Sequence, residues 1–266
     1  MKQFTILTCV FFLTTLPSHA ENLIQTFDID LNGDGIIEHI EVEYVEDTDE
    51  QMRSYYDADF YYSGNYIVRI NDQEVTGWSE VPEAAEIVDI DENDGRMELL
   101  LADDGPSNET NCIIYGWNGE EIYTVGEFYG SREFDGHGTI YSGVSQEFWT
   151  ATFIDRLNPD THTLYTVPQD LYFVDNCCNQ IIDNGCMYTV TVAFPLYKDA
   201  SGSQIIENLE PGSEITFIAA KPNVNYENYD TWEFFEWYLL RTDDNVLGWI
   251  DFWTFYDKLE GLCQAD

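Results

Sequence analysis

Residues 30–44 read DLNGDGIIEHIEVEY, a loop rich in oxygen-bearing side chains that runs directly into an alternating segment. Apolar Ile40, Val42 and Tyr44 alternate with polar residues, which is the period of two typical of a half-buried β-strand. The sequence therefore predicts an acidic loop that is followed by a strand and not by a helix.

The spacing of this loop predicts a calcium site. It matches the helix–loop–helix calcium pattern, in which a twelfth residue, here Glu41, completes the ligand shell. A strand rises about 3.3 Å per residue, which carries Glu41 about 13 Å beyond Ile37 and away from the ion. The shell is therefore expected to close earlier, leaving Glu41 exposed, and an acidic turn without an ion is the alternative. The predicted ligands are the side chains of Asp30, Asn32, Asp34 and Glu38 and the carbonyl of Ile36.

The loop recurs along the chain. VDIDENDGRMELLLAD (88–103) aligns with FDIDLNGDGIIEHIEVEY (27–44) across a one-residue gap, and EFDGHGTIYSG (133–143) is a weaker third copy. A recurrence of roughly fifty to sixty residues predicts blade-like β-hairpin repeats. They form either a partial propeller, with a fourth unit around 146–175, or an open sandwich. The second loop supplies further candidate metal ligands, Asp89, Asp91, Asn93 and Glu98, but it is one residue short before Gly95, so its calcium binding is left open.

Strand signals continue through the rest of the chain, and the fold class is predicted to be all-β. Segment 60–75 reads as two strands with turns at 63–65 and 71–72, and segment 111–128 as a hairpin across Asn118–Gly119. Segment 82–88 is at most one helical turn, and no convincing amphipathic helix is present. Short strands with Pro–Gly and Asp–Asn turns after residue 187 predict a second, small barrel.

The first twenty residues have the features of a secretory signal peptide: a basic start, an apolar run and a small-residue cleavage site. We expect a secreted, extracellular or cell-envelope protein with a repeat domain at 21–174, a cysteine-bearing connector at 175–187 and a second domain at 188–266. Disulfides are favoured in an exported protein, and a local bridge from Cys177 or Cys178 to Cys186 is the simplest pairing. The five cysteines after the signal peptide are Cys112, Cys177, Cys178, Cys186 and Cys263, an odd number that leaves one free or bonded to another molecule.

The formal net charge is −41, with 51 acidic and 10 basic residues. Such a surface repels nucleic acid and anionic lipid, and no apolar stretch after the signal peptide is long enough to span a bilayer. Divalent cations, basic partners or a salty medium are favoured instead. Acidity for solubility alone is one reading, and it predicts no metal in the first loop.

Two family resemblances follow from these segments. The loop with Asp30, Asn32, Asp34 and Glu38 resembles the FG-GAP/VCBS-type repeats of exported bacterial proteins. Segments LEPGSEITFI (209–218) and WYLLRTDDNVLGWI (237–250) resemble a bacterial SH3-like domain. Together they imply calcium-stabilised repeats followed by a module that contacts cell-wall peptide or glycan, or an extracellular protein.

No complete catalytic constellation is present in the sequence. FDGHGTI (134–140) resembles the histidine motif of subtilisin-type proteases, but partner motifs and helices are missing, so His137 is expected to be a turn residue. A non-catalytic binding protein is therefore the first hypothesis, and a hydrolase using acids of the first domain is the alternative. Four tryptophans line either a ligand groove or the core of the second domain: Trp232, Trp237, Trp249 and Trp253.

Overall fold

The computed structural model of the protein describes residues 23–46, 64–79, 82–104, 110–146, 149–177, 185–222 and 235–260. Antiparallel strands dominate these ranges, which confirms the predicted all-β class. The predicted signal peptide lies outside the described residues. Within them, no helix has the length and apolar character needed to cross a bilayer.

The first two sheets are four-stranded meanders in which each strand pairs with the next along the chain. One contains β1 (Leu23–Ile29), β2 (Glu38–Glu46), β3 (Gly64–Ile70) and β4 (Gln73–Ser79). The other contains β5 (Glu86–Val88), β6 (Glu98–Asp104), β7 (Thr110–Trp117) and β8 (Ile122–Tyr129).

A third meander follows, and it belongs to a larger sheet. It consists of β9 (Ser131–Phe134), β10 (Thr139–Gln146), β11 (Trp149–Asn158) and β12 (Thr163–Thr166). The first residues of β11 also pair with β13 (Tyr172–Cys177), which pairs in turn with β17 (Glu214–Pro222). The third meander is thus continuous with the C-terminal strands.

The C-terminal strands extend this larger sheet in the order β16 (Ile205–Leu209), β15 (Phe194–Tyr197), β19 (Leu247–Asp251), β18 (Phe235–Thr242) and β17. Strand β14 (Cys186–Val190) pairs with β17, and β20 (Leu259–Glu260) pairs with β14. None of the sheets closes into a barrel within the described ranges. The predicted boundaries at 174/175 and 187/188 fall inside β13 and β14. Helix α1 (Phe252–Lys258) connects β19 to β20.

The second meander is buried on both faces, and its sequence explains why. On β6, Leu99 and Leu101 pack with the first meander, whereas Leu100 and Ala102 pack with the third. A strand covered on both sides needs apolar residues at successive positions, as in ELLLA, whereas alternation as in β2 serves one covered face. The three meanders therefore stack face to face.

The largest core crosses the predicted domain boundary. Trp149 on β11 is 2% exposed and packs against Phe217 of β17 and Phe235 of β18, with both ring centroids 5.0 Å away. Tyr172 of β13 joins them through contacts to Phe153 and Phe235. Residues on both sides of the boundary thus share one hydrophobic cluster.

Three local predictions were wrong. The turn predicted at 63–65 falls partly in a strand, since β3 begins at Gly64 and continues to the confirmed turn at Asn71–Asp72. Residues 86–88 form strand β5, not a helical turn. Helix α1 was not expected; it begins where Asp251 accepts a hydrogen bond from the Thr254 N–H, an N-cap that outweighs the aromatic, strand-like composition of the segment.

Candidate functional site

Loop 1 (residues 30–37), loop 2 (89–97) and the third loop (135–138) each connect two paired strands. In loop 1, backbone N–H groups donate hydrogen bonds to the carboxylate of Asp30. Asp30 Oδ1 accepts hydrogen bonds from the N–H groups of Gly33 at 2.8 Å and Asp34 at 3.2 Å, and Oδ2 accepts one from Gly35 at 2.7 Å. Asp34 Oδ1 accepts the N–H of Ile36 at 2.7 Å. Glycines at 33 and 35 permit this path because both adopt positive φ. The loop thereby brings several side-chain oxygens into one short turn.

A buried glutamate closes each of the first two loops. Glu38 is 2% exposed, and its Oε2 accepts the Leu31 N–H at 2.7 Å. Glu98 is 1% exposed, and its Oε2 accepts the Ile90 N–H at 3.2 Å. Both begin the second strand of their meander, so the predicted loop repeat has a structural counterpart.

The loops also lie side by side through a repeated backbone contact. The Leu31 carbonyl in loop 1 accepts the Met97 N–H of loop 2 at 2.9 Å. The Ile90 carbonyl in loop 2 accepts the Gly138 N–H of the third loop at 2.8 Å. The three acidic loops therefore form one continuous edge of the stacked meanders.

Loop 2 has a different register from the one suggested by the sequence alignment. The strand pairs Ile29–Glu38 and Val88–Glu98 enclose residues 30–37 and 89–97, so loop 2 has nine residues where loop 1 has eight. Asp89, and not Asp91, takes the place of Asp30. The gap in the sequence alignment therefore reflects a shift of loop 2 relative to loop 1, and loop 2 is not the shorter of the two.

Asp89 of loop 2 has a buried carboxylate oxygen, Oδ1, that lacks a hydrogen-bond partner within the described residues. Burial raises the pKa of Asp89, and the negative charges of Glu98, Asp94, Glu92 and Asp91 raise it further. Such a group gains from a cation or a proton.

His162 also belongs to this region, although no sequence motif predicts it there. It lies in the turn between β11 and β12 and is 8% exposed. Its Nε2 is 2.8 Å from Glu98 Oε1, and its Nδ1 is 3.5 Å from Asp94 Oδ2. The three residues offer ligand atoms within 4.8 Å of one another, a set that could hold a metal ion. Glu98 is thus shared between loop 2 and His162, 64 residues away in sequence.

The third loop is satisfied by its own backbone. Asp135 Oδ1 accepts the N–H groups of His137 at 2.7 Å and Thr139 at 3.0 Å. Although partial burial opposes them, these hydrogen bonds hold the pKa of Asp135 below its usual range. His137 is exposed, and Thr139 begins β10 where a glutamate begins β2 and β6. This loop lacks the closing carboxylate.

Glu41 takes no part in loop 1. It lies on β2, as expected of a strand residue, but it is only 31% exposed and its Oε1 accepts a hydrogen bond from Arg69 at 2.6 Å. The helix–loop–helix register is therefore absent, and the expectation of a freely exposed Glu41 was wrong. Asp28, just before the loop, contacts His39 at 2.8 Å.

The cysteines and tryptophans fall outside this site. Cys112 is a buried free thiol on β7, and burial raises its pKa to about 11. Cys186, buried on β14, is disulfide-bonded, and its pairing with Cys177 or Cys178 stays a prediction. Among the tryptophans, Trp253 is 63% exposed and Trp237 and Trp249 are half-buried, while Trp232 lies outside the described residues. The buried tryptophan of the C-terminal core is Trp149.

Chemically, loops 1 and 2 offer hard oxygen donors, the type that Ca²⁺ prefers, and loop 2 adds one imidazole. The predicted ligands Asp30, Asn32 and Asp34 lie in loop 1, Asp89, Asp91 and Asn93 lie in loop 2, and Glu38 and Glu98 begin the strands that follow. Among the described residues, Asp94, Glu98 and His162 are the acids and histidines whose ligand atoms lie within 4.8 Å of one another in a group of three, so Asp30, Asp34 and Glu38 do not form such a set. The chain was also compared with known proteins. It matches no protein-family model and no curated protein.

Proposed function

We propose that this protein is an exported, non-catalytic binding protein whose acidic loops are stabilised by calcium. The observation that carries the proposal is the repeated closure of loops 1 and 2 by Glu38 and Glu98. Each carboxylate is buried at a loop that already contains several acids. Burying charge of one sign is costly unless a cation compensates it, and a divalent ion held by oxygen ligands does so.

The proposal includes a repeat part of the FG-GAP/VCBS type followed by an SH3-like module, and the sequential meanders support the repeat part. Three four-stranded meanders in sequential order are the topology of propeller blades, and three are too few to close a ring. The C-terminal strands would then form the SH3-like part. In this proposal the ion acts as a structural staple between neighbouring units and not as a sensor.

The C-terminal part would contact cell-wall peptide or glycan, or an extracellular protein. It carries exposed apolar side chains at Trp253, Leu247, Ile205 and Val192, which are 63%, 53%, 53% and 47% exposed. Exposed aromatic and aliphatic groups favour association when a partner covers them. These exposed side chains are our candidates for the partner contact.

The hydrolase alternative has less support. Among the described carboxylates, burial raises the pKa of Asp89 and Asp155, the latter against a hydrogen bond from Thr166. Neither of the two lines the cavity of about 260 Å³ between the first two meanders. A hydrolase of this type would place such groups together in a substrate pocket.

Calorimetric unfolding tests the calcium proposal. We expect a higher midpoint in millimolar calcium than in chelator, and a smaller rise for Asp34→Asn. This variant keeps the oxygen that accepts the Ile36 N–H but removes a charged ligand. Asp244→Asn, an exposed acid in the turn between β18 and β19, should behave like the wild type. Equal midpoints in calcium and chelator for the wild type would remove the proposal.

Retention on purified peptidoglycan tests the partner contact. The full chain should be retained, Trp253→Ala should be retained less, and Trp78→Ala on β4 serves as the matched exposed-tryptophan control. Equal loss in both variants, or no retention of the wild type, would count against a wall-binding C-terminal part.

A further inference from the structure

A cavity of about 260 Å³ opens between the first two meanders, at the end of the strands opposite the acidic loops. On β6, Glu98 lies at the loop end and Asp103 lies at the cavity. The five residue-to-residue steps from Glu98 to Asp103 span about 17 Å at about 3.3 Å per step. The cavity is therefore a separate site from the candidate metal loops.

Aromatic side chains form its mouth and floor. Trp78 on β4 and Tyr129 on β8 are 49% and 41% exposed, although both are large hydrophobic groups. Tyr66 lies deeper, and its hydroxyl is 2.8 Å from that of Tyr115. The ring of Tyr66 covers Gly77, where even a Cβ atom would come within 2.1 Å of it. Aromatic rings that surround a small cavity can pack against an apolar group, or they can attract a cation that lies over a ring face.

The electrostatics favour a cation. Asp103 and Glu127 line the cavity, and its described lining includes no lysine, arginine or histidine. Burial raises the pKa of the Tyr66 phenol, and the charges of Glu127 and Asp103 raise it further, against a hydrogen bond with Tyr115 that lowers it. The two carboxylates thus create a negative potential that reaches the floor of the cavity.

An unpartnered hydroxyl lies in the same wall. Ser79 ends β4, lines the cavity and is 4% exposed, and its Oγ has no hydrogen-bond partner within the described residues. A buried polar atom without a partner is costly and rare in native proteins. Because a serine hydroxyl changes rotamer at little cost, an N–H donor in the cavity can supply the missing bond.

We propose that this cavity binds a protonated aliphatic amine. The ammonium group lies between Asp103, Glu127 and the Ser79 hydroxyl, and its alkyl chain lies against Trp78 and Tyr129. A primary ammonium fits better than a quaternary one because it donates hydrogen bonds to Ser79. The proposal does not depend on calcium in the loops or on the C-terminal surface.

Titration calorimetry on the full chain tests this binding. The probes are cadaverine as a free amine, Nα-acetyl-lysine methylamide as a peptide side chain, choline as a quaternary ion and glucose as a neutral glycan unit. We expect saturable 1:1 binding of the first two, at least tenfold weaker binding of choline, and none of glucose. Binding of cadaverine but not of Nα-acetyl-lysine methylamide would identify the ligand as a free amine. Binding of both would extend the ligand class to lysine side chains of peptides.

Paired variants assign the binding to the cavity. Asp103→Asn should weaken cadaverine at least tenfold, whereas the exposed Asp170→Asn changes it by less than twofold. Trp78→Ala should weaken it severalfold, whereas Trp253→Ala leaves it unchanged. If Asp103→Asn does not fold, the exposed Glu127→Gln takes its place, with at least a threefold loss expected.

Ser79→Ala separates hydrogen bonding from general charge attraction. It should weaken cadaverine severalfold and leave choline unchanged, while raising the unfolding midpoint of the ligand-free protein. No saturable amine binding overturns the proposal, as does cadaverine affinity that is equal in the wild type, Asp103→Asn and Glu127→Gln. Tighter binding of glucose than of cadaverine overturns it as well. Chelator should leave cadaverine affinity unchanged, so a failed calcium test and a failed amine test are distinguishable.

Discussion

Asp89→Asn should stabilise the protein without calcium and destabilise it with calcium. In the cation-free protein Asp89 Oδ1 is buried without a partner, and four neighbouring carboxylates repel its charge. Asparagine keeps the shape of the side chain and removes its charge. Its NH₂ group can donate hydrogen bonds to those carboxylates. In the calcium-bound protein the same substitution removes a charged ligand.

The two effects have estimable sizes. An unsatisfied buried polar group costs about 1–3 kcal/mol, so relieving Asp89 should raise the free energy of unfolding by about 1 kcal/mol. Calcium at about 100 times its Kd stabilises the wild type by about 2.7 kcal/mol, and a variant with about 100-fold weaker binding by only about 0.4 kcal/mol. The net change in calcium is then a loss of about 1.3 kcal/mol.

Differential scanning calorimetry in chelator and in calcium measures both signs. For a chain of this length, about 1 kcal/mol shifts the midpoint by about 2–4 °C, so the variant should melt higher in chelator and lower in calcium. Asp244→Asn, in the exposed turn between β18 and β19, controls for net charge. A shift of the same sign in both buffers would refute the reasoning that loop 2 holds an ion at Asp89.

The same carboxyl predicts a pH dependence in chelator. Because the folded pKa of Asp89 is raised, its ionised form destabilises the protein fully above that folded pKa, and this penalty is lost as the pH falls through it. The stability advantage of Asp89→Asn at pH 7 should therefore shrink toward zero as the pH approaches about 4. Urea unfolding at successive pH values measures this difference, and an advantage that grows on acidification would contradict it.

Two further substitutions test the contacts between loops. Gly33→Ala should lower the free energy of unfolding in urea by about 2 kcal/mol or more, because φ is +75° and the new Cβ would lie 2.4 Å from the Gly95 carbonyl oxygen. Gly35→Ala also has a positive φ but open space around the Cβ, so it should cost less. Equal losses in the two variants would contradict the contact. His162→Asn keeps a residue that tolerates positive φ, but the shorter side chain cannot reach Glu98. Thermal unfolding should therefore show a stability loss of about 1–3 kcal/mol. An unchanged midpoint would mean that the buried Glu98 needs no partner.

Alternation and turn chemistry allowed much of the fold to be predicted from local sequence. The strands around Val42 and the hairpin at Asn118–Gly119 are where those signals place them, because one covered face imposes a period of two. Helix α1 was missed because its one local signal is the Asp251 cap, within a run of aromatic residues that also suits a strand. The continuity of sheet through β13 was also missed, since pairing between distant strands leaves no local pattern.

The candidate site was predictable only as far as each loop is local. The ligand spacing of loop 1 is contained in nine residues, and its turn geometry follows from Asp30 and two glycines. The register of loop 2 depends on the pairing of Val88 with Glu98, which an alignment gap does not encode. His162 is brought to Glu98 by the packing of two meanders, so no spacing rule could have found it.

The passage of β13 between β11 and β17 fixes the geometry between the two ends of the molecule. A flexible linker would let the C-terminal part rotate freely. Here Tyr172 pairs with Ala220 and its ring is buried, so the junction is rigid. Two ligands held at opposite ends would keep a set spacing and orientation. A pulling force on one of them would pass to the other through sheet hydrogen bonds.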